Sequence, residues 1–472
     1  MADSTRKGAD DHPREAGVLL HPTSLWGAWG IGTLGGELRA FVNWAAEAGF
    51  KWWQVLPLSP TGVGNSPYQP ISSFAGNPLL LSPELLHADG LLTREELATA
   101  SLPPEARVDW GNLLPHRFRL NGIAAARALR LNPRGFSEFC SAHAGWLNPW
   151  AAYAALKEAG DQAPWWQWKA QEPNPELEKV HRMVQFLFHE QWSRALALCE
   201  SAGIRVLGDL PIYSSLDSAD VWSRRDLFML DEHGAPTVVA GVPPDYFSST
   251  GQLWGNPLYD WKAHAEEGYQ WWAHRLSRTL ELCHTVRIDH FRGFCDYWEI
   301  PADADTAVNG TWKTGPGIRF FRKVSRHLGG MPPIVAEDLG IITPEVRRLR
   351  DELGFPGMVV LQFALDDPDF IPSRVSRNTV IYTGTHDNDT TRGWLESTGR
   401  HQSLEDVVST ALDSPSKLCV LPVQDILGLG AEARMNTPGT AWGNWSFRLR
   451  PGSLETRNAR KCRALLSSGG RA

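Results

Sequence analysis

Acidic residues stand at the ends of several short apolar segments of the sequence. Asp209, Asp289, Glu337 and Asp387 each follow a run of mostly apolar residues, and two of the four have a histidine as a direct neighbour. If the apolar runs are parallel strands, their carboxyl ends lie at one face of the molecule, and the acids meet there. The pattern therefore indicates a cluster of carboxylates at a single site.

An acid after a strand can instead cap the helix that follows it. This interpretation is strong for Asp338 and Asp389, which have the short side chain that an N-cap requires. It is weaker for Glu337, because glutamate is a poor N-cap. Four such positions, one of them beside an arginine, favour chemistry over capping.

Cleavage of a glycosidic bond with retention of the anomeric configuration requires two carboxyl groups. One attacks as the nucleophile, and the other acts first as general acid and then as general base. Arg287 lies two positions before Asp289, on the same face of a strand, where its charge would keep the carboxylate ionised. A negative neighbour would raise the pKa of Glu337, as a general acid needs. We therefore predict Asp289 as nucleophile, Glu337 as acid/base, and Asp387 as a third acid that holds sugar hydroxyls.

Eight apolar runs must position these residues. Helical patterns lie between several of them, and such βα units predict a parallel sheet. Eight of them predict an α/β fold, a single (β/α)8 TIM barrel over residues 1–472. The predicted strands are Gly17–His21, Trp52–Leu56, Ile204–Gly208, Thr285–Ile288, Pro333–Ala336, Met358–Phe363, Thr379–Tyr382 and Leu418–Leu421.

Three insertions are expected in the loops after the strands, where barrel active sites lie. Residues 82–175, between strands two and three, have a mostly helical pattern. Residues 214–268, between strands three and four, are rich in Gly, Pro and aromatic residues and suit a binding loop, and residues 299–317 form the third insertion. About 50 residues follow strand eight, too few for a C-terminal β-sandwich domain.

Composition excludes several classes of protein. The formal net charge is −7, so no basic surface for nucleic acid is expected. No run of 18 apolar residues indicates a membrane span, and Met1 to Glu15 contain no secretory signal. Six scattered cysteines without a C-x-x-C pair suit reduced thiols, and we expect a cytoplasmic protein. The 22 tryptophans could brace a core or stack on sugar rings.

The strand-end motifs resemble those of the amylomaltases. These enzymes are 4-α-glucanotransferases, or disproportionating enzymes, of glycoside hydrolase family 77 in the α-amylase clan. The similarity extends from about Gly17 to Arg448 and rests on motifs in the same order. They include Trp53-Gln-Val-Leu-Pro-Leu58, Asn65-Ser-Pro-Tyr-Gln69, Gly208-Asp-Leu-Pro-Ile-Tyr213, Gly251-Gln-Leu-Trp-Gly-Asn-Pro257, Arg287-Ile-Asp-His-Phe-Arg-Gly293, Ala336-Glu-Asp-Leu-Gly340, Thr385-His-Asp-Asn-Asp-Thr390 and Glu432-Ala-Arg-Met-Asn-Thr-Pro-Gly439.

The resemblance implies the same three catalytic roles for Asp289, Glu337 and Asp387. It also implies a set of residues that hold the glucan. These are Ser66, Tyr68, Asp209, Arg287 and His386 on the donor side, and Tyr246, Phe247, Gln252 and Trp254 on a loop over the groove.

The function that follows is transfer of an α-1,4-glucan segment to the 4-hydroxyl of another glucan or of glucose, through a covalent glycosyl-Asp289 intermediate. The expected partners are maltooligosaccharides and glucans derived from starch or glycogen. Two alternatives stay open, an α-amylase-like hydrolase and a catalytically inactive barrel that binds glucan. The sequence has no glycine-rich phosphate loop and no metal-ligand cluster, so we predict neither a cofactor nor a metal.

Overall fold

Eight parallel strands form the centre of the molecule. A computed structural model describes residues 13–102, 105–169, 172–244, 248–440 and 442–472. The strands in chain order are β1 Glu15–Leu19, β2 Trp52–Gln54, β3 Arg205–Leu210, β4 Val238–Val242, β5 Gln252–Pro257, β6 Thr285–Ile288, β7 Asp296–Pro301, β8 Thr311–Thr314, β9 Ile334–Ala336, β10 Gly357–Val360, β11 Thr379–Tyr382 and β12 Leu418–Pro422.

The parallel sheet has the strand order β10-β11-β12-β1-β2-β3-β6-β9. Its two edges also approach each other, because the N–H of Ala336 donates to the carbonyl oxygen of Pro356 at 2.9 Å. The sheet is thus nearly closed, which confirms the predicted (β/α)8 barrel and its eight strands. Strand β10, the sixth strand of the barrel, is shorter than predicted and ends at Val360. The chain then forms a short helix, in which the side chain of Gln362 donates to the carbonyl oxygen of Asp389 at 2.8 Å.

Helices separate most of the barrel strands and cover the sheet. Many begin with local signals: Asn174 and Thr343 accept hydrogen bonds from the first helical turn, and a proline follows each. The helices are α1 Gly36–Ala48, α2 Pro83–Ala88, α3 Arg94–Ala100, α4 Trp110–Leu131, α5 Phe136–Ala142, α6 Ala144–Ala159, α7 Pro175–Ser201, α8 Ala219–Ser223, α9 Trp261–Glu266, α10 Gln270–Leu280, α11 Gly317–His327, α12 Pro344–Leu353, α13 Leu361–Ala364, α14 Thr391–Thr398, α15 Leu404–Asp413, α16 Val423–Ile426 and α17 Thr456–Ser468.

The long connection between β2 and β3 contains helices α2 to α7. Helices α4 and α6 both pack on α7, which leads into β3. Among the helices built from the described residues, none combines the length and the apolar character that crossing a membrane requires.

Tryptophans are a large part of the core between the barrel and its helices. Trp53, Trp192 and Trp272 are among the largest fully buried side chains. The ring N–H of Trp53 donates to the carbonyl oxygen of Leu20 at 2.7 Å, so its one polar atom is satisfied in the interior. Much of the tryptophan content therefore stabilises the fold.

A second sheet, which is antiparallel, lies beside the barrel. Its strand order is β5-β4-β7-β8. We predicted residues 214–268 as an aromatic loop and residues 299–317 as a separate insertion, but the structure pairs strands from both segments. Val239 and Ile300 form a small core between them. This pairing gives β5, with Gln252 and Trp254, a fixed position.

Candidate active site

Arg287 lies between two carboxylates at the end of the barrel strands. It is paired with Asp209 across β3 and β6, and its Nη1 donates to both carboxylate oxygens of Asp209 at 2.8 and 2.9 Å. Its Nη2 donates to Oδ1 of Asp289 at 2.8 Å. Burial would lower the pKa of Arg287, but the charges of Asp209 and Asp289 raise it well above its usual value. The guanidinium therefore stays charged and fixes the carboxylate of Asp289.

Glu337 lies across from Asp289, because the two acids directly follow the paired residues Ile288 and Ala336 of β6 and β9. One carboxylate oxygen of Glu337 accepts the N–H of His290 at 2.6 Å, and the other accepts the N–H of Leu339 at 2.9 Å.

The environment of Glu337 differs from that of Asp289. Burial, followed by the charge of Asp289, raises the pKa of Glu337 to about 7, against the opposing effects of Arg287 and the backbone donors. Glu337 can therefore exchange a proton near neutral pH, while the carboxylate of Asp289 is held by a guanidinium. A difference of this kind is what separates a general acid from a nucleophile.

The backbone of His290 explains how Glu337 is held. His290 has φ = 50°, in the left-handed region that non-glycine residues rarely adopt. This turn directs its N–H toward Glu337, one residue after the proposed nucleophile. Burial lowers the pKa of the His290 side chain to about 4, so its ring is neutral at physiological pH.

Asp387, His386 and Tyr68 form a second group of side chains in the site. Nε2 of His386 lies 3.4 Å from Oδ2 of Asp387. The rings of Tyr68 and His386 are stacked, with centroids 4.8 Å apart. The hydroxyl of Tyr68 donates to Oδ2 of Asp209 at 2.7 Å, which joins this group to the Arg287 network.

The other predicted substrate-binding residues are placed less centrally. The hydroxyl oxygen of Ser66 accepts the N–H of Tyr68 at 3.2 Å. The ring of Trp254 contacts the ring of His290 edge-on, with the ring centroids 4.9 Å apart. The ring N–H of Trp254 donates to the side-chain oxygen of Gln252 at 3.2 Å. Tyr246 and Phe247 lie outside the described residues.

Two further residues enter the site that our sequence reasoning did not select. Trp445 packs beside Tyr68 and His386, with ring centroids 5.7 and 5.9 Å away. The side-chain amide of Asn436 donates to Oδ1 of Asp387 at 2.7 Å. Both lie after the last barrel strand and in stretches that resemble the amylomaltases, Asn436 in the motif ending at Gly439 and Trp445 in Gly443-Asn-Trp445.

Known proteins identify this arrangement. Residues 20–455 match glycoside hydrolase family 77, described as 4-alpha-glucanotransferase. The chain belongs to this family. The glucanotransferase is 45% identical to the 4-alpha-glucanotransferase of Thermus thermophilus, over 96% of this chain and 98% of that protein. It is 44% identical to the 4-alpha-glucanotransferase of Synechocystis sp., over 93% and 95% of the two chains.

Solved structures agree with the sequence relatives. The glucanotransferase superposes on an amylomaltase from Streptococcus agalactiae in complex with acarbose with a TM-score of 0.92 and 35% identity, over 97% of this chain and 100% of that chain. The resemblance to amylomaltases and the assignment as a transferase are thus confirmed.

Proposed function

We propose that the glucanotransferase moves a segment of an α-1,4-glucan to the 4-hydroxyl of another glucan or of glucose by a retaining double displacement. The observation that carries the proposal is the contrast between its two central acids. Asp289 is held by Arg287 at 2.8 Å, whereas burial and the charge of Asp289 raise the pKa of Glu337 to about 7. A retaining mechanism needs such a pair.

In the first step a carboxylate oxygen of Asp289 bonds to C1 of the donor sugar. The bond from C1 to the glycosidic oxygen breaks, and Glu337 gives its proton to that oxygen, which leaves with the rest of the glucan. In the second step Glu337 accepts the proton of the acceptor 4-hydroxyl, whose oxygen attacks C1 and releases Asp289. Each step inverts C1 once, so the α configuration is retained.

The remaining site residues would hold the donor sugar and the glucan chain. Asp387 lies beside His386 and would bind sugar hydroxyls as positive charge develops on the ring. Tyr68, which is stacked on His386, offers a ring face to the same sugar. We also assign glucan contacts to Ser66, Asp209, Arg287, His386, Gln252, Trp254, Tyr246 and Phe247.

The substrates of this proposal are maltooligosaccharides and α-1,4-glucans derived from starch or glycogen, with glucose as an acceptor. The acarbose bound to the Streptococcus agalactiae amylomaltase supports an α-glucan site, and acarbose is a useful ligand to test on this chain. The cytoplasmic location stays a prediction.

Incubation with maltotriose alone tests the reaction. Transfer yields glucose together with a ladder of longer glucans, which chromatography resolves. Maltose and glucose in hydrolytic proportion would instead identify an α-amylase-like hydrolase, and no product together with glucan binding would identify an inactive barrel.

Replacement of the nucleophile tests the mechanism. Asp289→Asn should abolish turnover and leave maltooligosaccharide binding, measured by calorimetry, because the shape of the site is kept. Asp303→Asn, an exposed acid, is the matched control and should keep full activity. Unchanged turnover in Asp289→Asn would refute the covalent step.

A further inference from the structure

The carboxylate of Asp387 is oriented by a loop far along the chain. Asn436, which follows α16, donates from Nδ2 to Oδ1 of Asp387 at 2.7 Å. Its own N–H donates to the carbonyl oxygen of His386 at 3.1 Å. The loop is therefore attached to both residues of the His386-Asp387 pair.

Arg434 fixes the same loop from the other side. Its Nε donates to the carbonyl oxygen of Asn436, and its Nη2 donates to the carbonyl oxygen of Asp387, both at 2.7 Å. The backbone of Asn436 is thus held both at its N–H and at its carbonyl. Arg434 itself bonds to the backbone of Asp387 and not to its carboxylate.

Asp387 has few other groups to orient its carboxylate. Its side chain is 46% exposed, in contrast to the buried Asp209. The titratable or charged groups that face it in the described residues are the His386 ring, the Tyr68 hydroxyl and the Arg434 guanidinium. Among these, His386 lies 3.4 Å from Oδ2, which is longer than a good hydrogen bond.

We propose that Asn436 is a positioning residue for Asp387. Its amide N–H binds Oδ1 and fixes the plane of the carboxylate, which leaves Oδ2 to accept sugar hydroxyls as the transition state forms. The proposal rests on the proposed role of Asp387 as stabiliser and adds a residue outside the barrel strands to the catalytic apparatus.

The substitution Asn436→Asp tests this role, because it keeps the shape and replaces the donor by a carboxyl group. Two carboxyl groups at hydrogen-bond distance share one proton, and the shared proton restores a donor toward Asp387. We expect kcat on maltotriose to fall about a hundredfold at neutral pH and to recover as the pH is lowered. The basic limb of the pH profile should move to lower pH by about two units, which corresponds to that loss of kcat at neutral pH.

The control is Asn444→Asp in the same loop. The side chain of Asn444 accepts the N–H of Thr437 at 3.0 Å and donates to the carbonyl oxygen of Thr440 at 2.9 Å, with no contact to Asp387. This variant should keep the wild-type pH profile even if the loop is loosened. A wild-type profile in Asn436→Asp, or a uniform loss at every pH, would overturn the proposal.

Asn436→Ala gives a second measurement if the Asp variant folds poorly by circular dichroism. It removes the donor without adding charge, so kcat should fall roughly ten- to a hundredfold, with a smaller change in KM. A wild-type kcat in this variant would also overturn the role of Asn436.

The substitution Asp387→Asn separates the proposed role of Asp387 as stabiliser from the proposed role of Asn436 as its positioning residue. If Asp387→Asn keeps wild-type turnover, the proposed role of Asp387 itself is wrong. If Asp387→Asn is inactive and the pH profile of Asn436→Asp is unshifted, only the inference about Asn436 fails.

Discussion

Asp289 and Glu337 follow paired residues of neighbouring strands, yet their surroundings act on them in opposite directions. A buried guanidinium contacts Asp289 at 2.8 Å, while Glu337 accepts backbone N–H groups, and burial and the negative charge of Asp289 raise its pKa. The side chains differ by one methylene, so their chemical difference comes from position. The pair illustrates how two carboxyl groups acquire distinct tasks in one site.

The pH dependence of donor cleavage follows from this difference. Glu337 must carry its proton to protonate the leaving oxygen, and it is protonated below its pKa of about 7. We therefore expect kcat/KM for maltotriose, which reports the free enzyme, to fall as the pH rises through about 7. A fluoride donor such as α-maltosyl fluoride needs no proton on its leaving group, so its kcat/KM should fall less as the pH rises. An equal fall of kcat/KM for both donors would contradict the role of Glu337.

At the scale of elements, the antiparallel sheet holds β5 against the barrel. Gly241 of β4 pairs with Leu253 of β5, and a Cβ at Gly241 would come 2.2 Å from the carbonyl oxygen of Gln252. Glycine is required here because the two backbones approach closely. The sheet thus fixes Trp254 beside His290, whose N–H contacts Glu337.

Substitution of this glycine should therefore reach the active site. We expect Gly241→Ala to push β5 away from β4 and to lower kcat/KM on maltotriose by roughly ten- to a hundredfold, because small misplacements of site residues are costly. Gly330→Ala is the control, since a Cβ there meets no atom within 4 Å. Steady-state kinetics on both variants tests this prediction. Equal kcat/KM values for Gly241→Ala and Gly330→Ala would show that β5 does not position the site.

The elements also show what the sequence could predict. The eight barrel strands were predictable because each is a short apolar run whose neighbours in the barrel are also its neighbours in chain order, once the insertions are set aside. The antiparallel sheet was not, because β4 pairs with β7 about 60 residues later and neither strand alternates clearly in polarity. Asn436 was missed for the same reason: its partner Asp387 is 49 positions away, and only the fold brings them together.

At the scale of the whole molecule, the barrel is completed by segments from both ends of the described chain. β1 pairs with β12, and Arg471 lies buried behind this junction. Its guanidinium donates to the carbonyl oxygens of Leu412 at 2.6 Å, Ser414 at 2.7 Å and Glu15 at 3.1 Å. One side chain thus satisfies carbonyl groups of the first strand and of the end of α15.

Arg471 should contribute to stability without affecting catalysis. Arg471→Ala removes buried hydrogen bonds to the carbonyl oxygens of Leu412, Ser414 and Glu15 and opens a cavity, so we expect the free energy of unfolding to fall by about 2–4 kcal/mol, measured in urea. Arg460→Ala is the control, because Arg460 is 78% exposed and lies 3.7 Å from Glu47, and it should change stability by less than about 0.5 kcal/mol. Below the unfolding transition kcat should be unchanged in both variants, because Arg471 lies behind the β1–β12 junction and, among the described residues, its hydrogen bonds go to Glu15, Leu412, Ser414 and Ser416, which lie outside the site. A large loss of kcat in folded Arg471→Ala would show that the junction between β1 and β12 also sets the geometry of the strand ends.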